Sequence, residues 1–183
     1  MAGRVAIVGG RSVSPAGADQ VAQVAISLVK HGHFLVTGCA AGADCAAVAA
    51  ALTGRVPVSS LQVLAAFGPD GQGACGVSAV SEVQAFAAHG GAVSWWSGGG
   101  SHMPLRARLA ERAVQVVGQA SSGLVAVQPG RGSWRACRLA VARGLPVVAF
   151  STALETLGAG EWELCQGNGI WANAWRWVPA SLF

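Results

Sequence analysis

The feature that most restricts the fold of this chain is an alternation between short apolar runs and longer segments with helical periodicity. The mostly apolar runs lie at residues 5–8, 34–37, 61–67, 92–96, 124–128 and 145–150, and the helical segments at residues 15–30, 45–52, 79–89, 104–119 and 134–143. Apolar runs of this kind are typical of parallel strands that are buried on both faces by the connecting helices. The pattern predicts a three-layer α/β fold with a mostly parallel central sheet and helices on both faces.

Local signals support these boundaries, and the C-terminal part differs from the rest. Ser14 and Pro15 open the first helix, since proline fits the first helical turn, and Gly32 follows its end. After residue 150 the chain becomes rich in tryptophan, and alternation over residues 175–178 predicts an edge strand. We expect a single domain over residues 1–183, with a core at about 4–150 and a Trp-rich extension at 151–183.

The composition bounds the class of protein. The chain has a mean hydropathy of +0.48, but its apolar runs are far shorter than the roughly 20 residues that a spanning helix needs, so we expect no membrane partner. Only 11% of the residues are charged, which argues against disorder. The first apolar run is too short for a signal peptide, so we expect a cytoplasmic protein.

Cysteine and histidine usage argues against metal and disulfide chemistry. The cysteines are odd in number and contain no C-x-x-C pair; they are Cys39, Cys45, Cys75, Cys137 and Cys165. The four histidines are scattered and lack partners at metal-ligand spacing. We therefore expect no disulfide framework, no metal site and no cofactor.

Glycine-rich turns follow three of the predicted strands, at the edge where open α/β sheets bind ligands. The candidate ligand-binding residues are Gly9, Gly10, Arg11 and Ser12 after the first strand, Gly38, Gly42 and Asp44 after the second, and Gly130, Arg131, Gly132 and Ser133 after the fifth. Backbone N–H groups in such turns and at helix N-termini favour anions. Two roles stay open for Asp44, a helix cap or a contact with a sugar hydroxyl or base edge. Ser133 either caps its helix or donates to phosphate.

Arginine is concentrated in one part of the chain. Of the 11 arginines, seven lie between residues 106 and 143, against a single acid, Glu111. Arginine is the bidentate donor that suits phosphate. Arg106 and Arg108 are further candidates; being two apart on a helix they do not share a face, so one reaches a ligand while the other pairs elsewhere. The first turn lacks the G-x-G-x-x-G fingerprint and no acid ends the second strand, which disfavours a nicotinamide dehydrogenase.

These motifs together resemble a known family. The segment VAIVGGRS at 5–12, TGCAAGAD at 37–44, Arg106-Ala-Arg108-Leu, Gly132-Ser133 and GLPVVAF at 144–150 resemble the Rossmann-like domain of the DNA-processing protein A family (DprA, also called Smf). The resemblance covers about residues 4–150. It also places the chain in the wider SLOG superfamily, which includes the "lonely guy" phosphoribohydrolases. The resemblance implies a Rossmann-like fold and binding of single-stranded DNA at the phosphate-facing turns.

Two positions depart from these relatives. Ala41 stands where the DNA-processing family usually has a basic residue, and Ala136 stands where the phosphoribohydrolases carry their catalytic Glu. We therefore assign no catalytic residue and expect a binding protein, with single-stranded DNA as the first interpretation and a SLOG-type nucleotide or nucleotide-derivative sensor as the second. A nucleoside-monophosphate phosphoribohydrolase, with Glu82 or Asp44 as its acid, is the third. The Trp-rich tail either covers the sheet edge or forms the contact of a homo-oligomer.

Overall fold

Strands and helices alternate along the chain in the computed structural model, which describes residues 3–74 and 76–180. In these residues the strands are β1 (Arg4–Gly9), β2 (Phe34–Thr37), β3 (Leu61–Leu64), β4 (Ala92–Ser94), β5 (Gly123–Val127), β6 (Val147–Phe150), β7 (Gly160–Leu164) and β8 (Trp175–Pro179). The α-helices are α1 (Pro15–Lys30), α2 (Ala43–Leu52), α3 (Val77–Ala88), α4 (Leu105–Gln119) and α5 (Arg131–Ala142). The predicted Rossmann-like α/β fold, with a mostly parallel sheet, is confirmed.

The order of the strands places a topological switch point beside β1. The sheet runs β4-β3-β2-β1-β5-β6-β8-β7, with β1 to β6 parallel and β8 antiparallel to both of its neighbours. The chain moves outward from β1 to β4 and then returns to β5 on the other side of β1. Connections therefore leave the carboxyl ends of β1 and β5 in different directions, which opens the crevice where ligands bind in such sheets.

The alternation of side chains along the strands separates two hydrophobic clusters. Val5 and Ile7 of β1 belong to a cluster that α1, α2 and α3 cover, whereas Ala6 belongs to a cluster that α4 and α5 cover. Alanines of β5 and β6 meet alanines of α5 in the second cluster. Small side chains on both sides let α5 lie close to the sheet, and this position brings its N-terminus to the switch point.

The predicted start of α1 is confirmed, whereas α3 begins at Val77 instead of 79 and α4 at Leu105 instead of 104. Ser14 caps α1 by accepting a hydrogen bond from the Gly17 N–H at 3.0 Å, and Pro15 is the first helical residue, as predicted. By contrast, α2 begins at Ala43 and α5 at Arg131, two and three residues earlier than expected, with Gly42 and Gly130 as backbone caps. Glycine-rich turns therefore run directly into both helices. Asp44 and Ser133 lie inside the first helical turns, and neither is a helix cap.

The prediction of an edge strand at residues 175–178 is wrong. β8 is hydrogen-bonded to β6 on one side and to β7 on the other, so β7 forms the edge. Alternation along one segment reveals a half-buried face but not the number of neighbouring strands. The ring of Trp162 in β7 lies 5.9 Å from that of Trp134 in α5 and 5.4 Å from that of Trp177 in β8. These contacts fasten the Trp-rich extension to the core.

Six residues lie outside the part of the chain that the structure describes. The expected domain of residues 1–183 includes 1, 2, 75 and 181–183, which lie outside the described residues, and Cys75 is among them. Cys39, Cys45, Cys137 and Cys165 carry free thiols. Within 3–74 and 76–180, no helix is both long enough and apolar enough to cross a bilayer.

Candidate functional site

The three glycine-rich turns meet at the carboxyl edge of the sheet and interlock through their backbones. The Ala43 N–H donates to the Gly10 carbonyl at 3.1 Å, and the Gly10 N–H donates to the Val127 carbonyl at 3.3 Å. A Cβ atom on Gly9 would lie 2.3 Å from the Val127 oxygen, and one on Gly42, where φ is +81°, would lie 2.1 Å from the Gly10 oxygen. Only glycine permits this approach, so the turns form one rigid rim.

A cleft of about 1020 Å³ opens above this rim, between the turns and the helices α4 and α5. It is named the arginine cleft here. Most of the predicted site residues line it, namely Gly9, Gly10, Arg11, Ser12, Gly38, Asp44, Arg106, Gly130, Arg131, Gly132 and Ser133. Gly42 and Arg108 do not. The cleft lies at the switch point beside β1, so residues distant in sequence surround one space.

Exposed cations dominate the cleft. Arg11, Arg106, Arg131 and Arg135 are solvent-exposed and form no ion pair with any residue in 3–74 or 76–180. Asp44 is the one acid among the described lining residues. Because unpaired guanidinium groups cluster on low-dielectric walls, the cleft carries a positive field that attracts anions.

Two lining arginines of α5 were missed by the sequence-based site prediction. Arg135 and Arg138 follow Arg131 at intervals of four and seven residues, which is the spacing of a single helix face. The signal was present, but the helix was expected to begin at residue 134, so Arg131 was placed in a turn. Arg138 is paired with Glu155 at 2.5 Å, whereas Arg135 has no such partner among the described residues.

A buried ion pair forms the floor of the cleft. Arg112 Nη1 lies 3.1 Å from Asp44 Oδ2, and both side chains are about nine-tenths buried. Asp44 also accepts from the Ala40 N–H at 2.9 Å and from the Thr37 hydroxyl at 3.3 Å. Asp44 therefore holds the second turn and Arg112 in place. A Cβ on Gly38 would lie 1.8 Å from Arg112 Nη1, which explains the glycine there.

Arg112 was also missed as a site residue. Its Nε is buried and has no hydrogen-bond partner among the described residues, although the residue lines the cleft. Its spacing of four from Arg108 places both on the buried face of α4. The spacing of the two arginines in the sequence shows that they share a helix face. It does not show that this face is buried, because arginine ordinarily faces solvent.

Arg106 and Arg108 diverge as their spacing on the helix predicts. Arg106 is exposed and lines the cleft. Arg108 is only 3% exposed; its Nη2 donates to the Gly73 carbonyl at 2.6 Å, and its guanidinium lies 5.3 Å from the centre of the Trp96 ring. Arg108 therefore joins two loops outside the cleft, and of the two arginines Arg106 is the one that lines it.

The N-terminus of α5 lies at the rim of the cleft, which Gly130, Arg131 and Gly132 line. The first three N–H groups of a helix have no acceptor within the helix, and Gly130 supplies no side-chain cap. The Ser133 hydroxyl donates to the Gly9 carbonyl at 2.5 Å, so its proton is already used within the protein. The turn is fixed to α1 by Gln128, whose side chain accepts from the Ser14 N–H at 2.9 Å and donates to the Ser14 hydroxyl at 2.8 Å.

The chemistry of the described groups of the cleft can be stated one by one. Burial raises the pKa of the Cys39 thiol beneath the floor, against the lowering effect of Arg112, which disfavours a thiolate nucleophile. Ala136 lines the cleft with a methyl group. Across residues 3–74 and 76–180, no three His, Cys, Asp or Glu side chains are grouped so as to hold a metal ion. The arrangement provides cations and N–H donors for an anion.

Comparison with known proteins identifies the family of the chain and supports its fold. The family model described as DNA recombination-mediator protein A matches residues 1–168. The fold is similar to that of DNA processing protein A from Helicobacter pylori, studied for its single-stranded DNA binding mode, with a TM-score of 0.65 and 21% identity over 82% of this chain and 66% of that one. DNA processing protein A from Streptococcus pneumoniae aligns with a TM-score of 0.66 and 25% identity over 84% of this chain and 52% of that one. The chain thus spans less than two thirds of either relative's length. No curated protein sequence matches it.

Proposed function

The chain belongs to the family of DNA recombination-mediator protein A, and on that premise we propose that it binds single-stranded DNA through phosphate groups held in the arginine cleft. The observation that carries the proposal is a set of four exposed arginines around the N-terminus of α5 that have no ion-pair partner within 3–74 and 76–180: Arg11, Arg106, Arg131 and Arg135. Guanidinium groups bind phosphate oxygens in pairs, and helix N–H groups add donors for the same anion. The cleft provides both kinds of donor in one place.

Arg11 compensates for the neutral second turn in this proposal. Ala41 is exposed and uncharged where the family usually has a basic residue. The backbone of Arg11 is so close to the second turn that a Cβ on Gly42 would lie 2.6 Å from the Arg11 carbonyl carbon. The first turn therefore lies against the second, and Arg11 lines the same cleft, so we expect Arg11 to contact the phosphate that the absent basic residue would otherwise bind.

A single nucleotide is the alternative ligand, because the same cations and N–H groups suit one phosphate as well as several. Hydrolysis of a nucleotide is less well supported. Ala136 provides no carboxylate, and Asp44 is held by Arg112, Ala40 and Thr37. Glu82 belongs to α3 and is absent from the residues that line the cleft.

The test is a comparison of ligands across a salt series with the full chain. Fluorescence anisotropy of a labelled dT oligomer should show affinity falling linearly on a log–log plot against salt, with a slope of about −2 to −3 for three or four neutralised phosphates. Calorimetry with AMP should show weak binding, and AMP incubated with the protein should release no adenine. Tight AMP binding with a shallow salt slope would instead identify a nucleotide sensor, and release of adenine would identify a hydrolase.

A further inference from the structure

A second cleft lies on the other side of the α5 N-terminus. It encloses about 1160 Å³ at the carboxyl ends of β5 and β6 and the start of β8. It is named the tryptophan cleft here and is defined by Trp134, Phe150, Leu154, Leu164, Asn173 and Trp175. Gln128, Gly130 and Arg131 line both clefts, so the two are continuous across a rim that carries one of the unpaired arginines.

The chemistry of the second cleft differs from that of the first. Arg131 on the shared rim and Glu155 are the charged residues among its described lining, and Glu155 is already paired with Arg138 at 2.5 Å. The remaining walls are aromatic, aliphatic or neutral polar. Leu164 is 50% exposed, a large apolar side chain without cover. Such a cleft favours a flat, uncharged, apolar group and offers no attraction to a second phosphate.

Neutral amides complete the cleft. Asn173 is exposed at its edge, and the Gln20 side chain is fixed by donating from Nε2 to the Ile170 carbonyl at 3.3 Å. An amide supplies both donors and acceptors, which match the polar edge of a nucleobase. Aromatic side chains bind bases by stacking, with little dependence on sequence.

We propose that the tryptophan cleft receives a nucleobase from the same strand whose phosphate lies at Arg131 and the α5 N-terminus. This inference rests on the proposed function of the arginine cleft. A nucleotide joins an anionic phosphate to an uncharged aromatic base through one sugar. In this protein the arginine cleft lies on one side of Arg131 and the tryptophan cleft on the other. The first matches the anionic phosphate of a nucleotide, and the second matches its uncharged base.

The test separates base from phosphate. Binding of a dT oligomer is compared with that of an abasic deoxyribose-phosphate oligomer of equal length, for the wild-type chain and the variants Trp175→Ala and Trp175→Phe. The matched control is Phe34→Ala, since Phe34 is 43% exposed at the opposite, amino-terminal edge of the sheet. Circular dichroism and thermal unfolding establish that each variant is folded.

The wild-type chain should bind the abasic oligomer at least about fivefold more weakly than dT, the loss expected for one stacked base. Trp175→Ala should weaken dT binding by a similar factor while leaving abasic binding and the salt slope unchanged. Trp175→Phe should restore most of the dT affinity, and Phe34→Ala should change neither. Equal weakening of both oligomers by Trp175→Ala would overturn the proposal, because it would show a structural role only.

Photocrosslinking of the unmodified chain provides a second measurement that does not depend on a variant. An oligomer that carries 5-iodouracil should crosslink to residues that line the tryptophan cleft, within 150–155 or 173–175 or at Trp134 or Leu164, as mapped by mass spectrometry. Crosslinks confined to other parts of the chain would overturn the base pocket. Equal affinity of the wild-type chain for dT and abasic oligomers would overturn only the base pocket. Absence of salt-dependent binding to either oligomer would overturn the proposed function as well.

Discussion

The two clefts beside α5 share a rim but are built by different means. The arginine cleft rests on interlocked glycine turns and a buried ion pair, and it exposes unpaired cations. The tryptophan cleft rests on packed rings that join the C-terminal extension to α5, and its described walls are almost uncharged. The difference shows how one helix N-terminus can serve two chemistries, since each side is walled by a different part of the chain.

The stability of the two clefts should respond to different substitutions. The floor of the arginine cleft is held by the ion pair of Arg112 and Asp44, whose side chains are 11% and 9% exposed. The wall of the tryptophan cleft is held by aromatic packing, in which Trp162 lies between Trp134 and Trp177. Substitutions directed at one cleft should leave the binding contribution of the other intact, provided that the fold survives.

The largest expected effect is the loss of the buried pair. Asp44→Ala leaves the Arg112 charge uncompensated in the protein interior, and we expect the free energy of unfolding to fall by about 3–5 kcal/mol in urea denaturation. Glu163→Ala is the matched control, because Glu163 pairs with Arg176 at 2.6 Å with both side chains exposed. Glu163→Ala should lower the free energy of unfolding by less than about 1 kcal/mol. Similar losses for the two variants would show that the floor is not held by charge.

An intermediate effect is expected on the aromatic side. Trp162→Ala removes two ring contacts from a half-buried position, and we expect a loss of about 2–3 kcal/mol in urea denaturation. The salt slope for dT binding should not change, because the arginine cleft keeps its cations. Trp162→Phe is the control: it retains the ring but loses the Nε1 hydrogen bond to the Glu155 carbonyl. A changed slope in Trp162→Ala would mean that the two clefts do not act separately.

The smallest effect on stability should come from an exposed arginine. Arg135→Ala should change the free energy of unfolding by less than about 0.5 kcal/mol. It should nevertheless make the salt slope for single-stranded DNA shallower by about 0.7, the contribution of one phosphate contact. Arg55→Ala is the control, since Arg55 is paired with Asp19 and does not line the arginine cleft. An identical slope for both variants in anisotropy titrations would remove Arg135 from the interface.

Much of the fold could be predicted from local patterns. The limits of α1 could be predicted to within one or two residues, because Ser14, Pro15 and Gly32 are start and stop signals within a few positions of the helix ends. The starts of α2 and α5 were placed too late, because glycine in the preceding turns signals a loop but also serves as a backbone cap. The prediction of an edge strand at β8 is wrong because alternation within residues 175–178 carries no information about the neighbouring strand β7.

For the candidate site as well, some features could be predicted from local patterns and others could not. The three turns and the arginine-rich region were recognisable from sequence, and the structure brings most of those residues to one cleft. The roles of individual side chains could not be predicted from the sequence. Arg108 is buried against Trp96, and the Ser133 hydroxyl is bonded to Gly9, 124 positions away in the chain. No local pattern reports a contact over that separation.

What the sequence determined by itself is the alternation of strands and helices, the parallel sheet and the glycine turns along one of its edges, because periodicity and backbone freedom act over a few neighbouring residues. Only the tertiary structure decided which polar groups meet. Asp44 and Arg112 lie 68 positions apart, and Trp175 meets Leu164 only because β8 is inserted beside β7. Such pairs depend on strand order and on helix placement over the sheet, and those are properties of the whole chain.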